Sequence, residues 1–316
     1  MGYGVTTFGA KICYGMFQIP IIYLFFVFLQ SISISGVKTE IITSAQNPKI
    51  KNLLLLQEKS KARREQGLFV VEGRRELEHC LEGGFQVKTV FYCPSITGGS
   101  DFSVAKMMAD APEKSSSPVM EDAQYIEIPE QLYKKVAYRD STEGIIAEVQ
   151  YKALSLEDLR LPENPLIVVL ESVEKPGNLG AVLRSADAAG ADAVLIGDPL
   201  TDLYNPNLIR ASIGAVFTVP VVAAPSAEII AFLKEHGIQI LTAQLQDSSF
   251  YYDVDMRRGT AIVMGTESTG LTQVWRQAAD AHIRIPMLGR LDSLNVSVSA
   301  AILLFEAVRQ RQVRDV

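Results

Sequence analysis

Cysteine is scarce in this chain of 316 residues. Cys13, Cys80 and Cys93 are the whole complement, with no CxxC pair and no repeated spacing. A disulfide scaffold and a cysteine-built zinc site are therefore not expected. Histidine is as thin: His79, His236 and His282 lie far apart in sequence, so no metal is expected either. An excess of positive charge is also missing. Lys and Arg number 30 against 36 Asp and Glu, a net charge of −6, so no global field draws nucleic acid and any such contact must come from a local patch. A G-x-G-x-x-G string is absent too, which argues against a nucleotide-dependent dehydrogenase. What is present is a globular composition, 48% hydrophobic and 21% charged, on a chain long enough for two domains.

Residues 1–37 form a hydrophobic N-terminal extension. No charge occurs from Ile12 to Val37, and Lys11 and Lys38 flank the stretch. It is long enough to span a bilayer, and Ser33-Ile34-Ser35 has the small residues of a cleavage site. Three readings stay open: a start assigned too far upstream, with Val37 as the true one; a cleaved signal; or an anchor. The rest of the chain has the chemistry of a cytoplasmic protein, so no membrane partner is expected despite residues 12–35.

Residues 38–150 read as a small α/β domain. Ile50 to Gln57 is an apolar helical run, Phe69–Glu72 and Val87–Tyr92 are strands, and Arg74 to Glu82 is a helix stopped by Gly83-Gly84. Residues 97–100 and 111–118 are loops, and Ile145–Val149 is a further strand. Between Lys49 and Arg75 eight Lys and Arg face three Glu. A solvated helix face explains that excess, and so does a phosphate-contacting patch, with Arg63, Arg64, Arg74 and Arg75 its strongest candidates. Residues 151–165, punctuated by Pro162 and Pro165, read as a linker.

Residues 166–316 alternate apolar runs with helical patterns. The runs are 166–170, 193–196, 216–222, 238–242, 260–264 and 282–286. Such alternation predicts a parallel sheet covered on both faces, with ligands beyond the carboxyl ends of its strands. Three loops there carry polar residues that a fold does not need. The first holds Asn178, placed to cap a helix to about Ala189, and Arg184, whose helical neighbours Gly180, Ala181, Asp187 and Ala188 leave room for a ligand or a partner chain. The second is Gly265-Thr266-Glu267 followed by Gly270-Leu271, where glycine lets backbone approach a ligand or simply makes a tight turn. Glu267 there binds a hydroxyl or caps the next helix. The third runs from Ile285-Pro286-Met287 to Ser293-Leu294-Asn295 at the start of a helix reaching about Arg311, whose core face is read as Val298, Ile302, Phe305 and Val308.

Taken together, the three loops resemble the motifs of the SpoU (TrmH) family of RNA 2′-O-ribose methyltransferases. Asn178-Leu-Gly180 with Arg184, Gly265-Thr-Glu267 with Gly270-Leu271, and Ile285-Pro-Met287 with Ser293-Leu-Asn295-Val-Ser297 carry the likeness. Asn205-Pro206 and Ala211-Ser-Ile-Gly-Ala215 add to it. The resemblance implies an α/β fold with a deep trefoil knot in the C-terminal domain and a small substrate-binding domain before it. It also implies S-adenosylmethionine as cofactor and a homodimer built on the knotted domain. It makes Arg184 the principal catalytic residue, aided by Asn178, Glu267, Ser293 and Asn295. Cofactor contacts map onto Gly265, Thr266, Ile285, Met287 and Leu294. Ribosomal RNA of the 23S type is the expected substrate, with transfer RNA, or a catalytically silent RNA-binding protein on the same fold, as alternatives.

Overall fold

A computed structural model describes residues 39–97, 120, 122–138, 143–266, 269–290 and 293–312. The hydrophobic extension, the loops expected beyond Thr97, and Glu267 lie outside the described residues.

The first lobe is a mixed five-stranded sheet. In chain order its strands are β1 (Thr39–Ile41), β2 (Leu68–Glu72), β3 (Val87–Tyr92), β4 (Gln124–Glu127) and β5 (Ile145–Gln150), arranged β1-β4-β3-β5-β2. β5 runs antiparallel to both β2 and β3. Helices Pro48–Glu58 and Glu130–Val136 cover one face, burying Ile50, Leu53, Leu56 and Tyr133 against Val70, Phe91, Ile126 and Ile146. Asn47 caps the first of these helices through its Oδ1, 2.9 Å from the amide of Lys49.

The second lobe is a seven-stranded, wholly parallel sheet. Its strands are β6 (Leu166–Glu171), β7 (Ala193–Gly197), β8 (Val221–Ala224), β9 (Gln239–Ala243), β10 (Ser249–Phe250), β11 (Thr260–Met264) and β12 (Ala281–Arg284), in the order β10-β12-β9-β11-β6-β7-β8. Every residue of β6, β7 and β11 is buried, as central strands covered on both faces require. On one face, helices Ser226–Glu235 and Gln273–Ala278 bury Ile229, Leu233 and Trp275 against Ile167, Val169 and Val263. The Trp275 indole N–H donates to Ser226 Oγ at 2.9 Å, so its polar edge is satisfied. The C-terminal helix Val296–Gln312 packs on the helix Pro176–Ala188 and on β11.

The α/β fold with a parallel C-terminal sheet is borne out, with three local corrections. The apolar run from Val216 begins as a helical turn, Ala215–Thr218, and the strand starts only at Val221. The helix after the first loop starts at Pro176, so Asn178 lies inside its first turn and is not its cap. Proline at the first helical position needs no amide partner and starts the helix earlier than the polar residue suggested. The C-terminal helix buries Val296, Ala300, Leu303, Leu304 and Ala307, while Val298 and Phe305 are 46% and 48% exposed. The helix is apolar on two rows, and periodicity alone does not say which row meets the sheet.

The stretch read as a linker is packed. Tyr151 donates its amide to Gly67 O, Leu154 bridges to Val222, and Leu156 joins the second-lobe core. Between the two sheets stands an aromatic cluster. Phe69 stacks on Tyr204 with centroids 4.2 Å apart, and Phe85 meets Phe217 edge-on at 5.2 Å. Tyr204 donates its hydroxyl to Lys152 O at 2.6 Å. Burial pushes the Tyr204 phenol well above its ordinary range and that of Tyr151 to about 12.

Candidate active site

In a parallel sheet all strands end on one edge, and the loops that leave that edge are neighbours. Here β9, β11 and β12 end at Ala243, Met264 and Arg284, side by side. The residues that follow them enclose a cleft of about 750 Å³. Gly265 and Thr266 line it from the second loop, Ile285 and Met287 from the third, and Ser293, Leu294 and Asn295 from the start of the C-terminal helix. These seven, from the second and third loops, meet in one place.

Local chemistry holds the loops there. The chain after β11 doubles back, with Gly270 donating its amide to Thr266 O at 3.0 Å and Thr269 N donating to Thr266 Oγ1 at 3.1 Å. A Cβ on Gly265 would collide with the Gly270 and Leu271 backbone, so glycine serves the turn itself. Glu171, buried at the end of β6, accepts from Thr272 N at 2.8 Å and from Thr272 Oγ1 at 2.6 Å. That pair ties the far side of the turn to the central strand. Asn295 accepts at Oδ1 from the Ser297 amide at 2.9 Å and so caps the C-terminal helix. Its Nδ2 donates to Asn178 Oδ1 at 3.1 Å, which joins the first loop to the third.

Two residues missed in the sequence also line the cleft. Gln244 Oε1 and Arg276 Nε are buried without hydrogen-bond partners among the described residues. Neither sits in a recognisable string: Gln244 directly follows β9, and Arg276 lies on the short helix Gln273–Ala278 beside the cleft. A buried polar atom costs free energy unless something pairs with it, and both of these belong to residues that line the cleft.

Arg184 stands elsewhere. Six residues separate it from Asn178, and at 3.6 residues per turn that sets their side chains about 120° apart around the helix. Asn178 faces the C-terminal helix, and Arg184 faces a second cavity, of about 490 Å³, where the two sheets meet. The small residues around Arg184 do not all leave open room. A Cβ on Gly180 would stand 2.6 Å from Ala211 Cβ, so this glycine lets the helix Pro206–Ser212 pack close.

The basic stretch also divides. Arg63, expected at an RNA phosphate, is 2% exposed, with Nε 2.7 Å from Asp202 Oδ2 and Nη1 2.7 Å from Leu56 O. That expectation is corrected: its guanidinium is spent on tying the first lobe to the second. Arg74 Nε pairs with Glu78 at 2.7 Å on the surface. Arg64 and Arg75 are exposed, and Arg75 lines the junction cavity. Among the described residues no cluster of His, Cys, Asp and Glu suits a metal ion, and no helix is long and apolar enough to cross a membrane.

Known proteins share this arrangement. The family model described as the SpoU rRNA Methylase family matches residues 165–305, and the MRM3-like substrate binding domain matches residues 47–147. The 23S rRNA (guanosine(2553)-2′-O)-methyltransferase RlmP of Bacillus subtilis is 29% identical over 264 residues, 84% of this chain and 97% of that protein. The 23S rRNA (guanosine-2′-O-)-methyltransferase RlmB of Bordetella pertussis is 39% identical over 175 residues, 54% of this chain and 71% of its own length. An AdoMet-bound rRNA methyltransferase from Sinorhizobium meliloti superposes with a TM-score of 0.74 at 30% identity, covering 86% of this chain and 98% of that one. The resemblance read from the three loops is thus borne out over both lobes, and the chain belongs to the SpoU rRNA methylase family.

Proposed function

We propose that this protein transfers a methyl group from S-adenosylmethionine to a ribose 2′-hydroxyl of ribosomal RNA of the 23S type. The observation that carries the reading is the convergence of Gly265, Thr266, Ile285, Met287 and Leu294 on one cleft at the carboxyl edge of the sheet. The cleft suits the cofactor. Ile285, Leu294 and Leu303 offer an apolar slot for an adenine, and the Gly265 and Thr266 backbone offers hydrogen bonds. Arg276 and Gln244, which line the cleft, bring a guanidinium and an amide of the kind that a zwitterionic amino-acid tail takes. Bound there, S-adenosylmethionine supplies an electrophilic methyl group.

The chain's own residues must then orient a ribose and ease the loss of a weakly acidic proton. Ser293 and Asn295, at the mouth of the cleft and the start of a helix, are placed to hold the ribose, with Asn178 fixing Asn295. Glu267 belongs to the same loop as Gly265 and keeps its proposed part in holding a hydroxyl. Arg184, with its planar cationic fork, is suited to clamp a phosphate or to stabilise alkoxide charge.

Arg184 opens away from the cleft of its own chain. A homodimer, in which Arg184 of one copy serves the cleft of a second, reconciles the two. The apolar row Val298, Ile302 and Phe305, exposed at Val298 and Phe305 and half-buried at Ile302, supports such an interface. Arg311, in the last turn of the same helix, donates to the carbonyls of Asn164, Pro165, Met256 and Arg258. That fastening of the C-terminal helix to the start of the sheet supports the trefoil knot implied by the resemblance. A ribosomal RNA substrate supports a cytoplasmic location.

The test is methyl transfer from radiolabelled S-adenosylmethionine to ribosomal and transfer RNA, and to ribosomal particles, from a strain lacking the gene. Alkali-resistant label at one linkage of the large ribosomal RNA, abolished by Arg184→Ala, is the expected result. Label confined to transfer RNA reassigns the substrate. No label in any RNA or particle overturns the reading.

A further inference from the structure

The cavity at the meeting of the two sheets holds a cluster that the cofactor cleft does not use. Tyr138, at the end of the first lobe's helix Glu130–Val136, is 50% exposed. Arg210, from the second lobe's helix Pro206–Ser212, lies over its ring at 4.6 Å from the centroid. Asn207 Oδ1 accepts from both, from Tyr138 OH at 3.1 Å and from Arg210 Nη2 at 2.7 Å. Tyr138 N donates to Glu72 Oε2 at 2.9 Å, which fixes the backbone under the ring. Arg75 and Arg184 line the same cavity. A mere tie between lobes needs neither an exposed aromatic face nor two further guanidiniums beside it.

We propose that this junction cavity seats one unpaired nucleotide of the RNA. Its base stacks on the face of Tyr138 that Arg210 leaves uncovered, and Arg75 and Arg184 hold the phosphates on either side. The inference rests on the reading of the protein as an RNA methyltransferase and adds the residues that position the strand. Its physical grounds are three. A volume of about 490 Å³ admits a single nucleoside and not a duplex. Base–aromatic stacking needs a π-face free of a base-paired neighbour, so the nucleotide must be unpaired. A guanidinium pairs with phosphate through a planar fork, and Arg75 and Arg184 line the cavity with Arg210, against the carboxylates of Glu72, Glu76 and Glu143. Each lobe supplies half of the platform, Tyr138 from one and Arg210 with Asn207 from the other. Tyr138 and Arg210 are positioning residues: neither reaches the cofactor cleft.

The experiment uses the full chain and 23S ribosomal RNA transcribed with 6-thioguanosine or 4-thiouridine. Long-wavelength irradiation is followed by peptide mapping of the cross-links. A cross-link at Tyr138 is expected. Tyr138→Ala is expected to weaken binding of the same RNA about fivefold or more at fixed salt, and Tyr138→Trp to stay within about twofold of the wild type. Neither variant should change affinity for S-adenosylmethionine, which reports on the other cleft and on folding. Absence of a Tyr138 cross-link, or unchanged binding by a folded Tyr138→Ala protein, overturns the proposal. A Tyr138 cross-link from a protein that methylates no RNA would sink the catalytic reading and leave this one standing. Normal methyl transfer without the cross-link does the reverse.

Discussion

Arg63 and Glu148 are both charged residues that the fold has taken out of water, with opposite consequences. Arg63 is paired: Asp202 and two main-chain carbonyls take up its donors. Breaking a buried pair by removing one partner leaves an uncompensated charge and costs about 3–5 kcal/mol. Arg63→Ala is therefore expected to lose stability on that scale in urea unfolding, and Arg63→Ala with Asp202→Ala to recover part of it. Glu148, on β5, is buried with Oε1 unpartnered among the described residues. Burial raises its carboxyl above the ordinary 4.5, against weaker help from Thr89 and Asn52. The sign follows from proton binding: the native state holds this proton more tightly than the unfolded chain does. Its stabilisation is complete below about pH 4.5 and is lost as pH rises through the elevated native value. Thermal midpoints measured from pH 4 to 8 should show Glu148→Gln gaining on the wild type as pH rises. An unchanged difference across that range would refute the assignment. Sequence could not separate Arg63 from Arg64, since adjacent helical positions differ only in which way they point, and the fold decides that.

At the scale of elements, the carboxyl-edge loops were the most legible part of the chain. Their glycines and polar residues follow apolar strands, and a parallel sheet puts strand ends together whatever the order of the strands. Gly265→Ala tests that reasoning. The added methyl must push the Gly270–Leu271 backbone aside. Strain of about 1–3 kcal/mol at such a turn corresponds to a loss of roughly tenfold or more in affinity for S-adenosylmethionine, measurable by calorimetry. Helix starts and helix faces were less legible. Asn178 looked like a cap and instead pairs with Asn295, 117 residues away in sequence. The C-terminal helix carries two apolar rows, and the one read as core includes Val298 and Phe305, which stand exposed. Phe305→Glu is expected to leave cofactor affinity intact, to shift sedimentation toward a monomer, and to lower methyl transfer about tenfold or more. A variant that stays dimeric would remove this row from the interface.

Across the whole molecule, what sequence did not convey is how the two lobes are joined. Composition and punctuation suggested a linker at 151–165, whereas that segment is built into both sheets' surroundings. Phe69, Phe85, Tyr151, Tyr204 and Phe217 come from separate stretches, and none stands out until they stack. The Arg63–Asp202 pair sits beside them, with the Tyr151 hydroxyl donating to Asp202 Oδ1 at 3.2 Å. Contacts of this kind join the described residues of both lobes, from Thr39 to the C-terminal helix, into one compact unit.

Two lobes packed this closely work as a gauge. The span from Tyr138 in one lobe to Arg184 in the other, across the cavity they line, is set when the chain folds, before any substrate arrives. Where that spacing does not suit a strand, part of the cost of adjustment falls on the strand. A nucleotide held in a stable helix pays to unstack, and one in an open loop pays little. Selection then comes from how readily each candidate site deforms to the fixed spacing, and the aromatic packing between the lobes keeps that spacing constant.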